Sequence, residues 1–407
     1  MTSPAPDAAS PHVRANPLLL ALLAAFSAAA PAATQMFLPA LPHVQQDFNV
    51  SVGVAQLALS VALFSAAVIP LLSGSWSDRF GRRPMAIWGA ALFVTGSIVC
   101  LFAPNIVTLI AGRALQAGAG ATGIVLSRAI VQDVYGAQRA ASMVAVVTMA
   151  MGIAPMITPL IGGLLTDAFG WRSTFVFIGV FGAILLVMIV SILKETRPEQ
   201  VGPRPRLAQS MLALLRLPLF HVYALQSAFT MGMFFAFISA APYVVVNILK
   251  QPATVYGAGF LVISLGYIGG SAFAAKYSRR FGIDRMVFWG TLASLAAIVL
   301  MTALLFGGVW SVWAIFAPGA LSAFAIGASM PNASAAVTAV YPPAAGSAAG
   351  LSSFLQLFVG AVTAQAVGTA IGATPYPMVL VMLAMGVLAF IAIAVRPLIR
   401  APAAVPA

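Results

Sequence analysis

Side chains that could carry acid–base, redox or metal chemistry are scarce in this chain of 407 residues. Its eight carboxylates fall in tails, loops or the ends of apolar runs, and its three histidines lie at similar edges. Cys100 is the single cysteine, which excludes an intramolecular disulfide and a cysteine-ligated zinc site. The apolar runs contain no paired acids, no H-E-x-x-H motif and no nucleophile–base set, so we expect neither an enzyme nor a bound metal or cofactor.

One acid lies among arginines in the short segment 74–84, between two apolar runs. The segment contains Gly74, Asp78, Arg79, Gly81, Arg82 and Arg83. Glycine allows a tight reversal between two helices, and an acid among arginines can hold one closed arrangement and release it. The arginines alone would be explained as anchors on the inner side of a membrane. That explanation does not account for Asp78 or Gly81.

Arg113 is the charged side chain that lies deepest in an apolar run, about seven residues from its end. A guanidinium at such a depth costs about 3 kcal/mol on insertion scales. It is therefore kept for a function, or its long side chain reaches the membrane surface. Gln116 follows one helical turn later. The pattern Gly118-x-Gly120-x-x-Gly123 matches a dinucleotide fingerprint, but no strand precedes it, and close helix packing explains it better.

Long apolar helices must position these residues. Apolar residues make up 61% of the chain and charged residues 7%, whereas a soluble domain carries about 25% charged residues. Lipid must therefore cover this chain, and each crossing needs about 20 apolar residues. We predict an all-α membrane protein with twelve transmembrane helices. The predicted spans are 17–38, 53–73, 85–103, 106–127, 139–166, 171–193, 218–247, 253–275, 285–305, 309–333, 347–371 and 376–395.

The basic residues predict how these helices are oriented. Of the 20 lysines and arginines, 17 fall on one side of the predicted spans, and only Arg172 and Lys250 fall on the other. This positive-inside bias places both termini in the cytoplasm. The net charge of +12 does not indicate a nucleic-acid partner, because the basic residues are spread over short loops and form no single basic face.

The chain divides into two halves of six predicted helices each. Segment 194–217 is the longest charged stretch, and we interpret it as a cytoplasmic linker between an amino-terminal bundle, 17–193, and a carboxy-terminal bundle, 218–395. The tails 1–16 and 396–407 are rich in proline and alanine. We expect both tails to be cytoplasmic, and residues 1–16 and 401–407 to be disordered.

The two halves contain related sequences. When residues 78–89 are shifted by 201 positions onto 279–290, six of the twelve positions are identical. These are Arg79/Arg280, Phe80/Phe281, Gly81/Gly282, Met85/Met286, Trp88/Trp289 and Gly89/Gly290. Both copies fall between the second and third predicted helices of their half. A parallel repeat of six helices is the architecture of major facilitator transporters.

Three motifs of this sequence resemble signatures of the major facilitator superfamily. Segment 74–84 resembles its loop signature G-x-x-x-D-R-x-G-R-R, and the run from Arg113 to Gly120 resembles its signature with an intramembrane arginine. A third segment, similar to a signature of the exporters, contains Gly152, Pro155, Pro159, Gly162 and Gly163. Its prolines free backbone carbonyls and kink the helix, and its glycines let a neighbouring helix approach closely.

Segments 34–42, 127–135 and 235–242 resemble the bicyclomycin/chloramphenicol-resistance branch of the drug exporters. The resemblance implies a monomer in the bacterial inner membrane, surrounded by the lipid bilayer, that exports drugs in exchange for protons. It also implies a cytoplasmic charge cluster of Asp78, Arg82 and Asp133 that acts as a gate latch.

Gln35 departs from the pattern of this branch, which has an aspartate there as proton carrier and partner of the arginine matched by Arg113. Glutamine does not titrate, so the coupling is open. The alternative to a proton-coupled drug exporter is a facilitator or exchanger of a polar or anionic metabolite. A sensor or receptor is a further alternative, but no soluble signalling domain is present. Candidates for the substrate and coupling site are Gln35, Arg113, Gln116, Met149, Phe234, Phe237 and Phe354.

Overall fold

A computed structural model describes residues 16–197, 212–341 and 345–398. The described residues form helices and no strands. The first half contains α1 (Pro17–Phe37), α2 (Leu41–Asp47), α3 (Val52–Phe80), α4 (Arg82–Leu101), α5 (Ile106–Phe169) and α6 (Arg172–Ile192). The second half contains α7 (Pro218–Tyr243), α8 (Ala253–Phe281), α9 (Ile283–Phe306), α10 (Val312–Ala339), α11 (Ala345–Ala370) and α12 (Tyr376–Ala394).

Helix α5 is 64 residues long and accounts for two of the predicted spans. Gly136 interrupts it with a φ of 66°, a left-handed conformation that glycine adopts at no steric cost. Among the described residues, eleven helices are long and apolar enough to cross a membrane, and Pro155–Phe169 is a shorter apolar helix. Counting α5 as two helices gives the predicted twelve, and the all-α membrane fold is confirmed.

Two segments that lie between predicted spans, and were therefore expected to be loops, are helical. The predicted loop 128–138 continues α5 as far as the break at Gly136, because its polar side chains find partners on the neighbouring helices. The predicted loop 39–52 contains a 3₁₀ turn and α2, with Pro39 and Pro42 in first-turn positions. Proline is tolerated there because the first turn needs no N–H donor.

The described parts of the predicted tails and linker are short. Residue 16 caps α1 with its side chain, and Arg396–Leu398 form a 3₁₀ turn after α12. Residues 1–15, 198–211, 342–344 and 399–407 lie outside the described residues. The expected disorder in both tails therefore stays a prediction, as do the course of the linker and the domain limits drawn through these segments.

The halves are related by the shift of 201 residues that the basic loops predict. Adding 201 to Pro17 gives Pro218, where α7 begins, and adding it to the limits of α3 gives both limits of α8. Gln46 and Asn247 occupy equivalent positions under this shift, and they hydrogen-bond to each other at 3.1 Å. A residue that pairs with its own counterpart lies on the two-fold axis relating the copies. The pseudo-two-fold axis therefore passes between Gln46 and Asn247.

The two halves are joined through α3 with α11 and α5 with α8. We call the end of the bundle that carries Arg79 and Arg280 the basic end, and the other the opposite end. The hydrogen bonds that join the halves cluster at the opposite end, including Tyr243 Oη to the Leu41 carbonyl at 3.5 Å. At the basic end of α11, a Cβ added to Gly346 would meet nothing within 4 Å. Among the described residues, the hydrogen bonds between the halves therefore form a seal at the opposite end.

Candidate functional site

A cavity of about 330 Å³ lies between the two halves, on the inner side of the seal. Helices α1, α3 and α5 of the first half line it together with α7, α8, α10 and α11 of the second. The lining is mainly apolar, with polar groups from Thr34, Gln35, Ser264 and Tyr267, and its described side chains include no carboxylate and no basic group. An apolar cavity with a few polar groups is the usual form of a small-molecule site.

Gln35 is the lining residue best placed to recognise a ligand. It follows Pro31 on α1, its side chain is buried, and its Oε1 has no hydrogen-bond partner among the described residues. A buried acceptor left unpaired costs about 1–3 kcal/mol. The oxygen itself is covered, so a ligand that donates a hydrogen bond to it would remove this cost only after the side chain rotates toward the cavity. The unpaired amide oxygen is therefore matched to a hydrogen-bond donor.

Tight packing of α5 against α1 and α8 closes the cavity at the opposite end. A Cβ on Gly162 would lie 2.1 Å from the Met36 carbonyl oxygen of α1, and one on Gly163 would lie 2.8 Å from that of Ala253 at the start of α8. Only glycine allows backbones to approach this closely. The segment that resembles the exporter signature thus forms part of the seal, and its Pro155 lines the cavity.

Asp167 links the halves beside this packing. One carboxylate oxygen accepts a hydrogen bond from the Ala253 backbone N–H at 3.1 Å, and the other from the Thr254 N–H at 2.8 Å and from the Thr254 hydroxyl. Asp167 belongs to α5, so it caps the amino terminus of α8 across the boundary between the halves. Such a position satisfies unpaired N–H groups and favours negative charge.

The contact of α3 with α11 contributes buried amides to the seal. Gln56 is fully buried, and neither polar atom of its side chain has a partner among the described residues. Gln365 donates to the Gly53 carbonyl at 3.0 Å, while its own Oε1 remains unpaired. These unpaired groups oppose closure because water would satisfy them if the end opened. The seal combines close packing with polar groups that favour its opening.

Arg113 lies inside the first half, outside the lining of the cavity. It is fully buried, its Nη1 donates to Gln116 Oε1 at 2.5 Å, and its guanidinium lies 4.7 Å from the Phe37 ring centroid. Gln116 in turn donates to Ser97 Oγ at 2.7 Å. Gln35 is not a partner of Arg113, since Gln35 Oε1 accepts no hydrogen bond from the described residues. The spacing of three residues between Arg113 and Gln116 is the signal that predicts the observed pair.

At the basic end, Arg82 joins the acid of its own loop to α5. Its Nη1 lies 2.6 Å from Asp78 Oδ1 and donates to Ser77 Oγ at 2.5 Å, while its Nε lies 2.8 Å from Asp133 Oδ2. The arginine is buried, so its charge is poorly screened and is balanced by the two carboxylates. The structure therefore brings together the three residues of the expected cluster, all from the first half.

Glu195 stabilises the loop that carries Arg82, although no motif of the sequence points to it. Its carboxylate accepts from the backbone N–H groups of Arg82 at 2.8 Å and Arg83 at 3.2 Å. Burial raises the pKa of Glu195, but backbone N–H donors, including those of Arg197 and Thr196, outweigh it and leave the pKa below its usual value. A Cβ on Gly81, whose φ is 103°, would lie 2.6 Å from Glu195 Oε2. The loop glycine thus allows the carboxylate to approach.

The remaining candidates are distributed over the site and its surroundings. Phe234 lines the cavity, and Phe237 is buried beside it against Phe316, with ring centroids 6.0 Å apart. Phe354 stacks on Phe358 and does not line the cavity. On the same helix, Leu357 lines it. The other arginines of the loop make separate contacts: Arg83 donates to the Leu193 carbonyl, and Arg79 lies over Phe80. Met149 and Gly152 lie outside the residues whose side chains are described, while Gly74 and Pro159 lie on α3 and α5.

Comparison with known sequences places the chain among membrane transporters. A model of the Major Facilitator Superfamily matches residues 19–243. An uncharacterized MFS-type transporter of Bacillus subtilis, YdgK, is 30% identical over 359 residues, which cover 85% of this chain and 87% of that protein. Multidrug resistance protein D of Escherichia coli is 28% identical over 341 residues, which cover 84% of this chain and 86% of that protein.

Solved structures with a similar fold are also transporters. A bacterial homologue of the human lysosomal transporter Spinster, in an inward-facing and unoccupied conformation, has a TM-score of 0.75 and 17% identity, covering 93% of this chain and 95% of its own. The Escherichia coli xylose transporter XylE, in a partially occluded inward-open conformation, has a TM-score of 0.74 and 12% identity, covering 95% and 98%. At these identities the likeness is one of fold.

Proposed function

The chain belongs to the major facilitator superfamily, and from this membership we propose that it is a multidrug efflux transporter working by alternating access. The cavity between the halves is the observation that carries the proposal, because a volume of about 330 Å³ suits one small molecule. The similarity to multidrug resistance protein D favours drugs as substrates. The described lining offers groups that can bind a small molecule, and membership of a transporter family supports transport as the role.

We propose that the described conformation is the one open toward the cytoplasm. The positive-inside bias assigns the cytoplasm to the basic end, and the contacts between the halves cluster at the opposite end. Export would then proceed by loading from the cytoplasm, rocking of the halves, and breakage of the seal. In the opposite state, Asp78 would approach the beginning of α11 near Gly346, where free N–H groups favour an anion.

The preferred substrates are neutral, largely apolar molecules with a hydrogen-bond donor. The donor would pair with Gln35 Oε1, and the rest of the molecule would contact apolar side chains such as Phe234. Arg113 does not enter this preference, because it is buried beneath Phe37 and away from the described lining. Discrimination against ions follows instead from the absence of a countercharge in the described lining.

A second candidate function is facilitated diffusion or exchange without protons. It is favoured by Gln35, since an amide in the cavity cannot carry a proton through the cycle. In the proton-antiport alternative, the proton would bind a carboxylate outside the cavity, such as Asp78, Asp133 or Asp167. Export that stops when the proton gradient is collapsed supports antiport, and export that follows only the substrate gradient supports the facilitator.

Uptake into inverted vesicles tests the proposed substrate class. Neutral and cationic drugs of matched size are compared for the native chain, Gln35→Leu, Gln35→Asp and Gln45→Leu. The last variant is the control, because the Gln45 side-chain amide donates to the Val50 carbonyl. We expect Gln35→Leu to reduce neutral-drug uptake about tenfold through loss of one hydrogen bond to a buried acceptor, and Gln35→Asp to favour cations and proton dependence. Equal uptake of both drugs by all four proteins contradicts the role of Gln35.

We further propose that the protein is a monomer of the bacterial inner membrane with both termini in the cytoplasm. The charge bias supports this orientation. A single cysteine at position 79, on a Cys100→Ala background, should react with an impermeant reagent in inverted vesicles and stay protected in intact cells. A cysteine at position 250 serves as the reciprocal control. Reaction at position 79 in intact cells contradicts the orientation.

A further inference from the structure

A groove of about 830 Å³ runs along the membrane-facing surface of the second half, away from the cavity. It forms because α10 packs against both α8 and α9, which diverge on either side of it. Its floor is made of small residues, including Gly290, Ala293, Ala297, Ala325 and Ala328. Large exposed side chains form its rim, namely Phe273, Phe281, Trp289, Leu300, Leu321 and Phe324.

The groove is long enough for an acyl chain. Its lining on α9 runs from Arg285 to Leu300, which at 1.5 Å per residue is about 22 Å. One leaflet contributes about 15 Å to the hydrocarbon core. The groove therefore extends from the surface at the basic end past the middle of the bilayer.

A cation without an acidic partner lies at its basic end. Arg285 lines the groove and has no carboxylate partner among the described residues. The adjacent acid, Asp284, is engaged with Tyr223 Oη and lies 3.2 Å from Arg396 Nη2. Trp289 follows Arg285 by one turn and is 63% exposed, as is typical of aromatic side chains at a membrane surface. In the described part of the chain, the groove thus joins an apolar channel to a guanidinium that has no acidic partner.

The first half provides an internal comparison. The shift of 201 residues places Pro84 where the second half has Arg285, and Leu92 where it has Ala293. The neighbouring Arg83 is already engaged with the carbonyls of Leu193 and Val190. At the positions equivalent to Arg285 and Ala293, the first half therefore has neither a cation nor a small residue.

We propose that this groove binds one phospholipid with an acidic headgroup. The headgroup phosphate pairs with the Arg285 guanidinium, which matches phosphate geometry with two parallel donors. An acyl chain lies over Ala293 and Ala297, between the rim residues. Lysines and arginines near a membrane surface attract acidic lipids, and here the apolar groove adds a fixed position for the chain.

Native mass spectrometry of the purified full-length chain tests the proposal with dioleoyl phosphatidylglycerol and dioleoyl phosphatidylcholine. We expect the native chain to bind one phosphatidylglycerol more tightly than phosphatidylcholine. Arg285→Gln should weaken phosphatidylglycerol binding about fivefold and phosphatidylcholine binding less, because the choline cation of that lipid already balances its phosphate. Ala293→Leu, which installs the residue of the first half, should weaken both lipids. Arg79→Gln removes an exposed arginine from the first half at the same end and should change neither.

Any of four results would overturn the proposal. The first is unchanged phosphatidylglycerol affinity in Arg285→Gln, and the second is an equal loss in Arg79→Gln, which would indicate general charge attraction. The third is competition by soluble glycerol phosphate as effective as that by the lipid, because the acyl groove would then contribute nothing. A lipid-free dimer lost in Ala293→Leu would assign the groove to a second copy of the chain. Monodispersity in size-exclusion chromatography checks that each variant is folded.

Discussion

Asp167→Ala should shift the protein toward the state open at the opposite end. The carboxylate caps α8 through two backbone N–H groups and the Thr254 hydroxyl, and it reaches them from the other half. Loss of a capping side chain costs about 1 kcal/mol, and this cost applies only to the sealed state because the contact crosses the boundary. A difference of about 1 kcal/mol corresponds to about a fivefold change in the ratio of the two states.

Distances between spin labels on the two halves measure this ratio. Labels replacing Phe102 at the end of α4 and Trp313 at the start of α10 lie on exposed positions at the opposite end. Electron double resonance on a Cys100→Ala background should show a short distance in the sealed state and a longer one in the open state. In Asp167→Ala, the share of the longer distance should rise about fivefold relative to the shorter one.

Asp47→Ala is the matched control. Asp47 is also an acid at the opposite end, and its Oδ2 lies 2.9 Å from Arg172 Nη1, but both residues belong to the first half. Its removal should leave the distance distribution unchanged. The reasoning is refuted if Asp167→Ala gives the native distribution, or if Asp47→Ala produces the same shift.

Three further predictions concern stability and the seal. Arg82→Gln should lower the stability of the purified protein by about 3 kcal/mol, because it removes the buried cation that Asp78 and Asp133 both contact, while Arg79→Gln should leave the melting temperature unchanged. Glu195 has a depressed pKa, so its stabilisation is present above the unfolded pKa and is lost as pH falls through the lower folded pKa. Glu195→Gln should abolish this acid-dependent loss in melting temperature. Gly162→Ala should abolish vesicle transport, since its Cβ would meet a carbonyl at 2.1 Å, whereas Gly179→Ala, with 3.7 Å to its nearest neighbour, should transport normally.

Hydropathy and internal similarity predict the fold well because both depend on residue type along the chain. The shift of 201 residues, found in the loop around Gly81, also relates the starts of α1 and α7 and both limits of α3 and α8. The prediction of a loop at 128–138 is wrong, because polar residues can also lie on a helix. Asp133 lies on a helix, and its partner Arg82 comes from a distant part of the chain. Such pairing is not visible in local sequence.

The site was predicted less completely, for a geometric reason. Sequence places Gln35 and Arg113 in membrane helices, but it does not determine which face of each helix meets the other half. In the structure, Gln35 faces the cavity and Arg113 faces the interior of its own half, with Gln116 and Phe37. Glu195 was missed because it follows an apolar helix, where a single acid has no distinctive pattern.

The hydrogen bond between Gln46 and Asn247 has a consequence for the ancestry of the chain. If the halves descend from one duplicated six-helix unit, two separate copies once met at this axis, and this position faced its own identical residue. An amide can pair with an identical amide because it carries both donor and acceptor, whereas a charged side chain there would have faced its own charge. The chain still has amides at both positions, 3.1 Å apart, which is the chemistry that an ancestral homodimer would have required.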